Sequence, residues 1–419
     1  MSSSFPKLRW PLVINPFTHQ GRSFVSVEDP AGLLERPVVF PKHLVPILAR
    51  FDGHHTVESI VKEGSAYGVT EELVRKFLEE LDDLYLLDTD RSSGRKIELE
   101  KEFQAQVVRK SVHANLVYPA DPDVLRTQID SYHKDTKSTE DHFQKSVVDA
   151  IISPHIDYRR GWECYASAYQ KLKSATSPDV IVLIGTSHQY AEGIFHICNK
   201  SFESPLGTFT VDSEAVIKLS STYGKERSFK SEYLHKHEHS LELQLPFLAH
   251  TYLGASSLPQ IVPILVGSFS DCVHEQKQPN EFSEISDFIE ACSEMHRDLL
   301  QRGKRILWLA GIDLTHIGKQ FGDLGNVCTE DSLREVEARD REFLNCVFSK
   351  DAESLFEHIA SDFDKRRICG FPTLYTMLSV FERLTLEVSG SLIDYRQAVD
   401  FERDHCVSFA SGYLQLGNS

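Results

Sequence analysis

Short apolar runs alternate with helix-length amphipathic segments through most of the chain after residue 111. Four of these runs have the length and composition of strands buried on both faces, and they cover 148–152, 180–184, 261–266 and 305–310. Segments with helical periodicity separate and follow them, at 163–175, 213–223, 282–301, 332–348 and 372–385. Because parallel strands joined by helices are covered on both faces, this pattern predicts an α/β domain with a central, mostly parallel sheet and helices on both sides.

The beginning of the chain has a different pattern. Three helix-like segments follow one another there, and they cover 41–51, 56–67 and 70–84. Thr56 and Thr70 stand where helix N-caps are expected. We therefore expect an N-terminal domain over 1–95, a linker over 96–110 and a larger domain over 111–419.

The N-terminal segment resembles the small winged-helix domains of the PqqD-like type. The resemblance rests on Phe51-Asp52-Gly53, on TVESI at 56–60 and on Leu86-Leu87-Asp88. Such domains often bind a peptide or a protein partner, so the resemblance implies a partner at this end of the chain. Residues 41–90 contain five Lys or Arg and eleven Asp or Glu, a balance that would repel nucleic-acid phosphates. A plain helical cap on the larger domain is the alternative interpretation.

The charge and the cysteines limit the cellular role. The net charge of -17 argues against a binder of nucleic acid or of anionic membranes, because either surface would repel it. No apolar run has the length of a membrane-spanning helix. The eight cysteines include no C-x-x-C pair, and a chain of this size needs no disulfides. We therefore expect reduced cysteines and a cytoplasmic location.

Three histidines follow predicted strands. His155 comes after the first run, His188 after the second, and His316 after the fourth, where Asp313 precedes it. Ligands of open α/β sheets bind beyond the carboxyl ends of the strands. One histidine at such a place is more often a hydrogen-bonding residue, but three together predict a functional pocket.

A further polar cluster, KHEHSLE, covers 236–242. It has the composition of a metal or acid–base site, but its two histidines are two residues apart and do not form an H-E-x-x-H zinc motif. Apolar residues follow it, so Glu238, His239 and Glu242 are candidates for the edge of a buried site. A solvated polar turn is the alternative.

Cys369 is the cysteine with the most suggestive position. It precedes Gly370-Phe371-Pro372, and Pro372 suits the first turn of a helix. A helix N-terminus favours a thiolate, which is a metal ligand or a nucleophile. The alternative is a small buried hydrophobe, which is how we interpret the other seven cysteines.

Seven motifs in the larger domain resemble those of the Memo family, whose bacterial members are often called AmmeMemoRadiSam system protein B. They occur in the family's order and are LVYPADPDVLR at 116–126, SPHIDY at 153–158, GTSH at 185–188, EHSLELQLPF at 238–247, DLTHIG at 313–318, Cys369-Gly370 and VSFASGY at 407–413. The resemblance implies a fold similar to that of class III extradiol dioxygenases, which use non-haem iron. Phe371 departs from the family pattern, because many members have a basic or polar residue there.

The resemblance also implies a metal site with His155, His188 and Cys369 as ligands. His239, Asp313 and His316 would line the same pocket. Two imidazoles and a thiolate suit Fe²⁺, copper or zinc better than Mg²⁺ or Ca²⁺, and iron is the first expectation.

Three functions agree with such a site. The first is an iron- or copper-dependent, dioxygenase-like oxidoreductase acting on a small organic or peptide-borne substrate, with His239 or His316 as general acid or base and Asp313 orienting His316. The second is a non-catalytic module that binds a metal or a peptide and recruits partners through its N-terminal domain. The third is a zinc hydrolase in which Asp313 or Glu242 activates water.

Overall fold

The computed structural model describes residues 5–34, 36–136 and 147–417. The chain divides into two compact units, Met1–Gln106 and Val107–Ser419. A helix that belongs to the first unit occupies Asp90–Gln104, where the sequence suggested a linker from residue 96 onward.

In its described residues, 5–34 and 36–106, the first unit contains a three-stranded antiparallel sheet and four α-helices. Its elements are β1 (Val13–His19), β2 (Arg22–Glu28), β3 (Val38–Pro41), α1 (Val45–Leu48), α2 (Val57–Gly64), α3 (Glu71–Asp83) and α4 (Asp90–Gln104). Side chains of Thr56 and Thr70 cap α2 and α3 as expected. The prediction of a helix over 41–51 is wrong for its first turn, because β3 extends through Pro41 and a 3₁₀ turn follows. A sheet precedes the helices, but the winged-helix identity of this unit stays a prediction.

The second unit is an α/β structure. Its elements are β4 (Val108–Arg109), α5 (Pro122–Asp135), β5 (Ala150–Ser153), α6 (Tyr158–Lys173), β6 (Val180–Thr186), β7 (Phe195–Ile197), β8 (Ser201–Ser204), β9 (Gly207–Phe209), α7 (Ser213–Tyr223), α8 (Lys225–Phe229), α9 (His239–Glu242), α10 (Leu245–Thr251), β10 (Gln260–Val266), α11 (Ser270–Glu275), α12 (Ser283–Gln301), β11 (Ile306–Gly311), β12 (His316–Gly318), α13 (Glu330–Phe348), α14 (Ala352–Ala360), α15 (Phe371–Arg383), β13 (Glu387–Asp400) and β14 (His405–Gly417). All four strand runs and all five helices that the sequence predicted are present, with ends that differ by a few residues.

The large sheet of this unit is mixed. Its strand order is β12-β14-β5-β11-β6-β10-β7, and β13 pairs with β14 outside that path. The four central strands, β5, β11, β6 and β10, are parallel, while β7 and the three C-terminal strands pair antiparallel to their neighbours. The α/β prediction is confirmed, and its parallel part is the centre of the sheet.

Alternate residues of the central strands enter two separate cores. Val180, Val182 and Ile184 of β6 belong to a core shared with α7, α12 and α15. Ile181 and Leu183 belong to a second core shared with α5, α6 and α10. This alternation explains why the strands are apolar throughout. Among the described residues, no helix combines the length and apolar composition that crossing a membrane requires.

Candidate metal centre

The register of the sheet brings the ends of three strands to one place. Gly311 at the end of β11 pairs with Ser153 of β5 on one side and with Gly185 of β6 on the other. His155 and His188 therefore leave the same edge of the sheet within two or three residues of this row. Both histidines thus lie beyond the carboxyl ends of their strands, where the sequence predicted them.

His239, the first residue of α9, joins these two histidines. The ring centroids of His155 and His188 are 4.8 Å apart, those of His155 and His239 5.2 Å, and those of His188 and His239 4.5 Å. One ligating atom from each of the three lies within 4.8 Å of the others. This spacing is short enough for the three imidazoles to share one metal ion.

Glu238 orients two of the three rings. Its Oε1 lies 3.0 Å from His188 Nδ1 and 3.1 Å from His239 Nδ1, and its Oε2 accepts a hydrogen bond from the His188 backbone N–H. Burial alone would raise the pKa of Glu238, but the two imidazoles hold that pKa well below its ordinary value. Burial likewise would lower the pKa of His188, but Glu238 raises it well above the ordinary value. With both Nδ1 atoms bound to a carboxylate, Nε2 of each ring remains to bind a metal, an arrangement common in metal sites.

His155 is oriented by the backbone of the neighbouring strand. Its Nδ1 lies 3.1 Å from the carbonyl oxygen of Gly311, which requires Nδ1–H to donate and leaves Nε2 as the ligating atom. The His155 and Ile156 N–H groups donate to Asp313 Oδ1, at 2.9 and 3.3 Å. Burial lowers the pKa of His155 well below its ordinary value, so the ring is neutral as a ligand must be.

Cys369 lies beside this cluster. Its Sγ is 3.4 Å from His155 Nε2, and its carbonyl oxygen accepts a hydrogen bond from Thr186 at the end of β6. Gly370 permits this approach, because a Cβ on it would lie 2.7 Å from the Asp313 carbonyl oxygen. Burial raises the pKa of the thiol, although a hydrogen bond with His188 opposes that shift. Burial therefore opposes the thiolate that the helix N-terminus favours, and the role of Cys369 as a ligand stays a prediction.

Asp313 and His316 line the region with different partners. Burial raises the pKa of Asp313 to about 6, and its Oδ2 lies 3.7 Å from His155 Nε2. His316 Nδ1 lies 2.9 Å from the Leu314 carbonyl oxygen and 3.2 Å from that of Arg367. The expected pairing of Asp313 with His316 is wrong, because backbone carbonyls orient His316 and Asp313 supports the His155 loop.

Glu242 has a structural role that the sequence did not reveal. Its carboxylate pairs with the buried Arg109 and accepts hydrogen bonds from the His113 N–H at 2.8 Å and the Tyr118 hydroxyl at 2.5 Å. Arg109 also donates to the carbonyl oxygen of Glu238, at 3.0 Å. These contacts occupy Glu242, so it does not serve as the water-activating base of the hydrolase hypothesis. A lone arginine at the start of the domain offers no sequence signal for such a role.

A cavity of about 310 Å³ adjoins the cluster at His188 and Cys369. Phe371 lines it, so the residue that departs from the family pattern does form part of a pocket wall. Asp364 and Arg367, which belong to none of the sequence motifs, also line it. Their position a few residues before Cys369 is the signal that could have identified them.

A family model described as Memo-like protein matches residues 109–413. The chain belongs to the Memo family. A MEMO1 family protein of Aquifex aeolicus is 26% identical over 408 residues, covering 97% of this chain and 98% of the relative. A MEMO1 family protein of Pyrococcus furiosus is 24% identical over 309 residues, and Protein MEMO1 of Mus musculus 24% over 318 residues. Each of those alignments covers 98% of the relative but only 73% and 74% of this chain, respectively.

The Memo match agrees with the architecture. It begins at Arg109, close to the boundary between the two units, and ends at residue 413 within β14. All residues of the histidine cluster lie inside it. About three quarters of this chain is enough to match the Pyrococcus and mouse relatives almost completely. The Aquifex relative, in contrast, matches nearly the whole length of this chain.

Proposed function

We propose that this Memo-family chain is a metal-dependent oxidoreductase, with dioxygenase-like chemistry on a small organic or peptide-borne substrate. The observation that supports it is the set of three imidazoles, of which His155 is buried, His239 half-buried and His188 exposed, whose ligating atoms lie within 4.8 Å of one another beside a thiol. In this proposal His155, His188 and Cys369 hold the metal. Fe²⁺ is the proposed ion, ahead of copper and zinc, because imidazole and thiolate donors suit these metals.

A metal bound there would supply redox chemistry, and the surrounding residues would move protons. His239 is held through Nδ1 by Glu238. In this proposal its Nε2 does not bind the metal, so it can exchange a proton with the substrate. His316 presents a lone pair on Nε2, since its Nδ1–H faces two carbonyl oxygens. Asp313, whose pKa burial raises to about 6, can hold or release a proton near neutral pH.

Metal analysis of anaerobically purified protein tests the ligand set. We expect about one iron or copper per chain in the wild type, and loss of at least nine tenths of it in His155→Ala, His188→Ala and Cys369→Ser. His239→Ala should keep the metal but lose substrate-dependent oxygen consumption. His54→Ala, which changes an exposed histidine of the first unit, is the matched control.

Two results would contradict parts of the proposal. Metal retained by Cys369→Ser but lost by His239→Ala would make the three histidines the ligand set and remove Cys369 from it. Metal at background level in the wild type, under every anaerobic preparation, would overturn the oxidoreductase itself.

A binding role for the first unit is the second candidate. The Memo family model covers residues 109–413, so the first unit lies outside the match. We propose that the unit recruits a protein or peptide partner. Partner capture that survives His155→Ala and Cys369→Ala would support this role, and capture lost in both variants would contradict it.

A further inference from the structure

The cavity beside His188 and Cys369 has a chemistry of its own. We infer that it binds a small, single-ring or similarly compact carboxylate, with the carboxylate group on Arg367 and the apolar body against Phe269 and Phe371. This inference rests on the proposed function, because the cavity adjoins the proposed metal centre, and it names the class of substrate that the centre would act on.

The walls of the cavity favour an apolar ligand body. Phe269 and Phe371 are each 2% exposed, and their rings meet edge to face at 5.8 Å. Val273, Phe363, Ile368 and Pro372 complete this apolar part of the lining. A volume of about 310 Å³ is near the lower end of the range for small-molecule sites, which is ~300–1,000 Å³. A compact ring fits such a space, whereas a folded partner does not.

Arg367 lines the cavity, and its guanidinium is held in place by an ion pair with Asp323. Its Nη2 lies 2.6 Å from Asp323 Oδ1, and its Nη1 lies 3.2 Å from Asp323 Oδ2 and 3.1 Å from the His316 carbonyl oxygen. These contacts use the end of the guanidinium that carries Nη1 and Nη2. The adjacent edge, formed by Nε–H and the second Nη2–H, has the geometry that binds a carboxylate through two parallel hydrogen bonds.

The loop around Arg367 holds an unusual backbone conformation. Arg367 has a φ of +52° and Asp364 a φ of +50°, values that residues other than glycine adopt rarely. The Arg367 carbonyl oxygen lies 3.2 Å from His316 Nδ1, and Asp364 Oδ1 accepts a hydrogen bond from the Ile368 N–H at 2.9 Å. Strained backbone of this kind persists where surrounding contacts fix it, and it is enriched at ligand sites. Here the contacts fix Arg367 two residues before Cys369.

Calorimetric titration with benzoate and with its neutral analogue benzamide tests the inference on the full chain. We expect the wild type to bind benzoate at least tenfold more tightly than benzamide. Arg367→Gln should abolish that preference, and Arg367→Lys should keep only part of it, because an ammonium cannot form the paired hydrogen bonds. Equal affinity of the wild type for the two probes would overturn the inference.

A second pair of variants does not depend on Arg367, whose loss also frees Asp323. Ser270→Trp adds a large ring at an exposed position of the cavity lining and should weaken benzoate binding at least tenfold. Ser221→Trp, at an exposed position of α7 outside the cavity, should not change it. Benzoate binding unaffected by Ser270→Trp would place the ligand elsewhere and contradict the inference. Metal content, measured on the same samples, reports on the proposed function separately, since benzoate selectivity in metal-free protein would support the cavity assignment by itself.

Discussion

Gly370 shows how one residue decides whether the proposed centre can form. A Cβ at this position would lie 2.7 Å from both the Asp313 carbonyl oxygen and Ile312 Cβ. We expect Gly370→Ala to push Cys369 away from His155 and to destabilise the second unit by about 1–3 kcal/mol, the usual cost of overpacking a core. Metal content and urea unfolding of the variant measure the two effects.

Gly94→Ala is the matched control for this substitution. Gly94 lies in α4, and nothing stands within 4 Å of a Cβ built there. Alanine favours a helix over glycine, so this variant should be as stable as the wild type or slightly more stable. A Gly370→Ala protein with normal stability and normal metal content would show that the Cys369 loop can move without cost, contrary to the close packing described above.

The short helix α9 depends on its neighbours for its position. It has four residues, and Arg109 fixes the turn before it by donating to the carbonyl oxygens of His235 and Glu238, at 2.9 and 3.0 Å. Arg109→Met would leave the Glu242 carboxylate buried without its cation. We expect a loss of about 3–5 kcal/mol in the unfolding free energy, as is typical when one partner of a buried pair is removed.

The double variant Arg109→Met/Glu242→Gln separates the charge from the packing. An amide oxygen can still accept from the His113 N–H and the Tyr118 hydroxyl, and no unpaired buried charge remains. Urea unfolding should therefore find the double variant more stable than Arg109→Met alone. If the double variant is no more stable than Arg109→Met, the Arg109–Glu242 pair stabilises the fold through its packing rather than through its charge.

The length of each element explains which helices and strands the sequence could predict. α7 and α12 are long enough for their apolar period to appear, and the predicted ranges agree with the structure within a residue. α9 and β7 have four and three residues, too few to show a period. Among the described strands, β13 pairs with β14 alone, so its burial pattern is irregular and half-buried. Such a strand resembles a loop in sequence.

For the whole molecule, the alternation of apolar runs with amphipathic segments is sufficient to predict the α/β fold, and the Memo motifs are sufficient to predict the family. The approach of His239 to His155 and His188 was harder to predict, because it depends on how α9 docks on the ends of β6 and β11. Gly311 permits that docking, since a Cβ there would lie 2.4 Å from the Ser240 carbonyl oxygen. Contacts of this kind join residues distant in sequence and leave no local pattern. The choice of Cys369 or His239 as the third ligand accordingly stays a prediction.

Buried histidines should make the fold sensitive to acid. Burial lowers the pKa of several of them to about 4, and these are His133, His196, His296 and His358. The unfolded chain, with ordinary histidine pKa values, binds more protons between pH 6.5 and 4, so stability must fall as the pH falls through that window. Asp313 and Asp364 act in the opposite sense below pH 6, because burial raises the pKa of each to about 6. Among these six groups the four histidines outnumber the two carboxyls, so their combined effect is destabilising.

His196 allows this acid sensitivity to be measured at one position. Burial is the cause of its lowered pKa, and the residue is 2% exposed in β7. Replacing it with glutamine removes a group that takes up a proton on unfolding, so His196→Gln should lose about 1.5 kcal/mol less than the wild type between pH 6.5 and 5. Urea unfolding at the two pH values gives this difference directly, and any constant cost of the substitution cancels. His54→Gln, at an exposed position, serves as the control. If His196→Gln and the wild type show the same pH dependence, His196 already carries a proton in the folded protein at pH 5, contrary to the prediction.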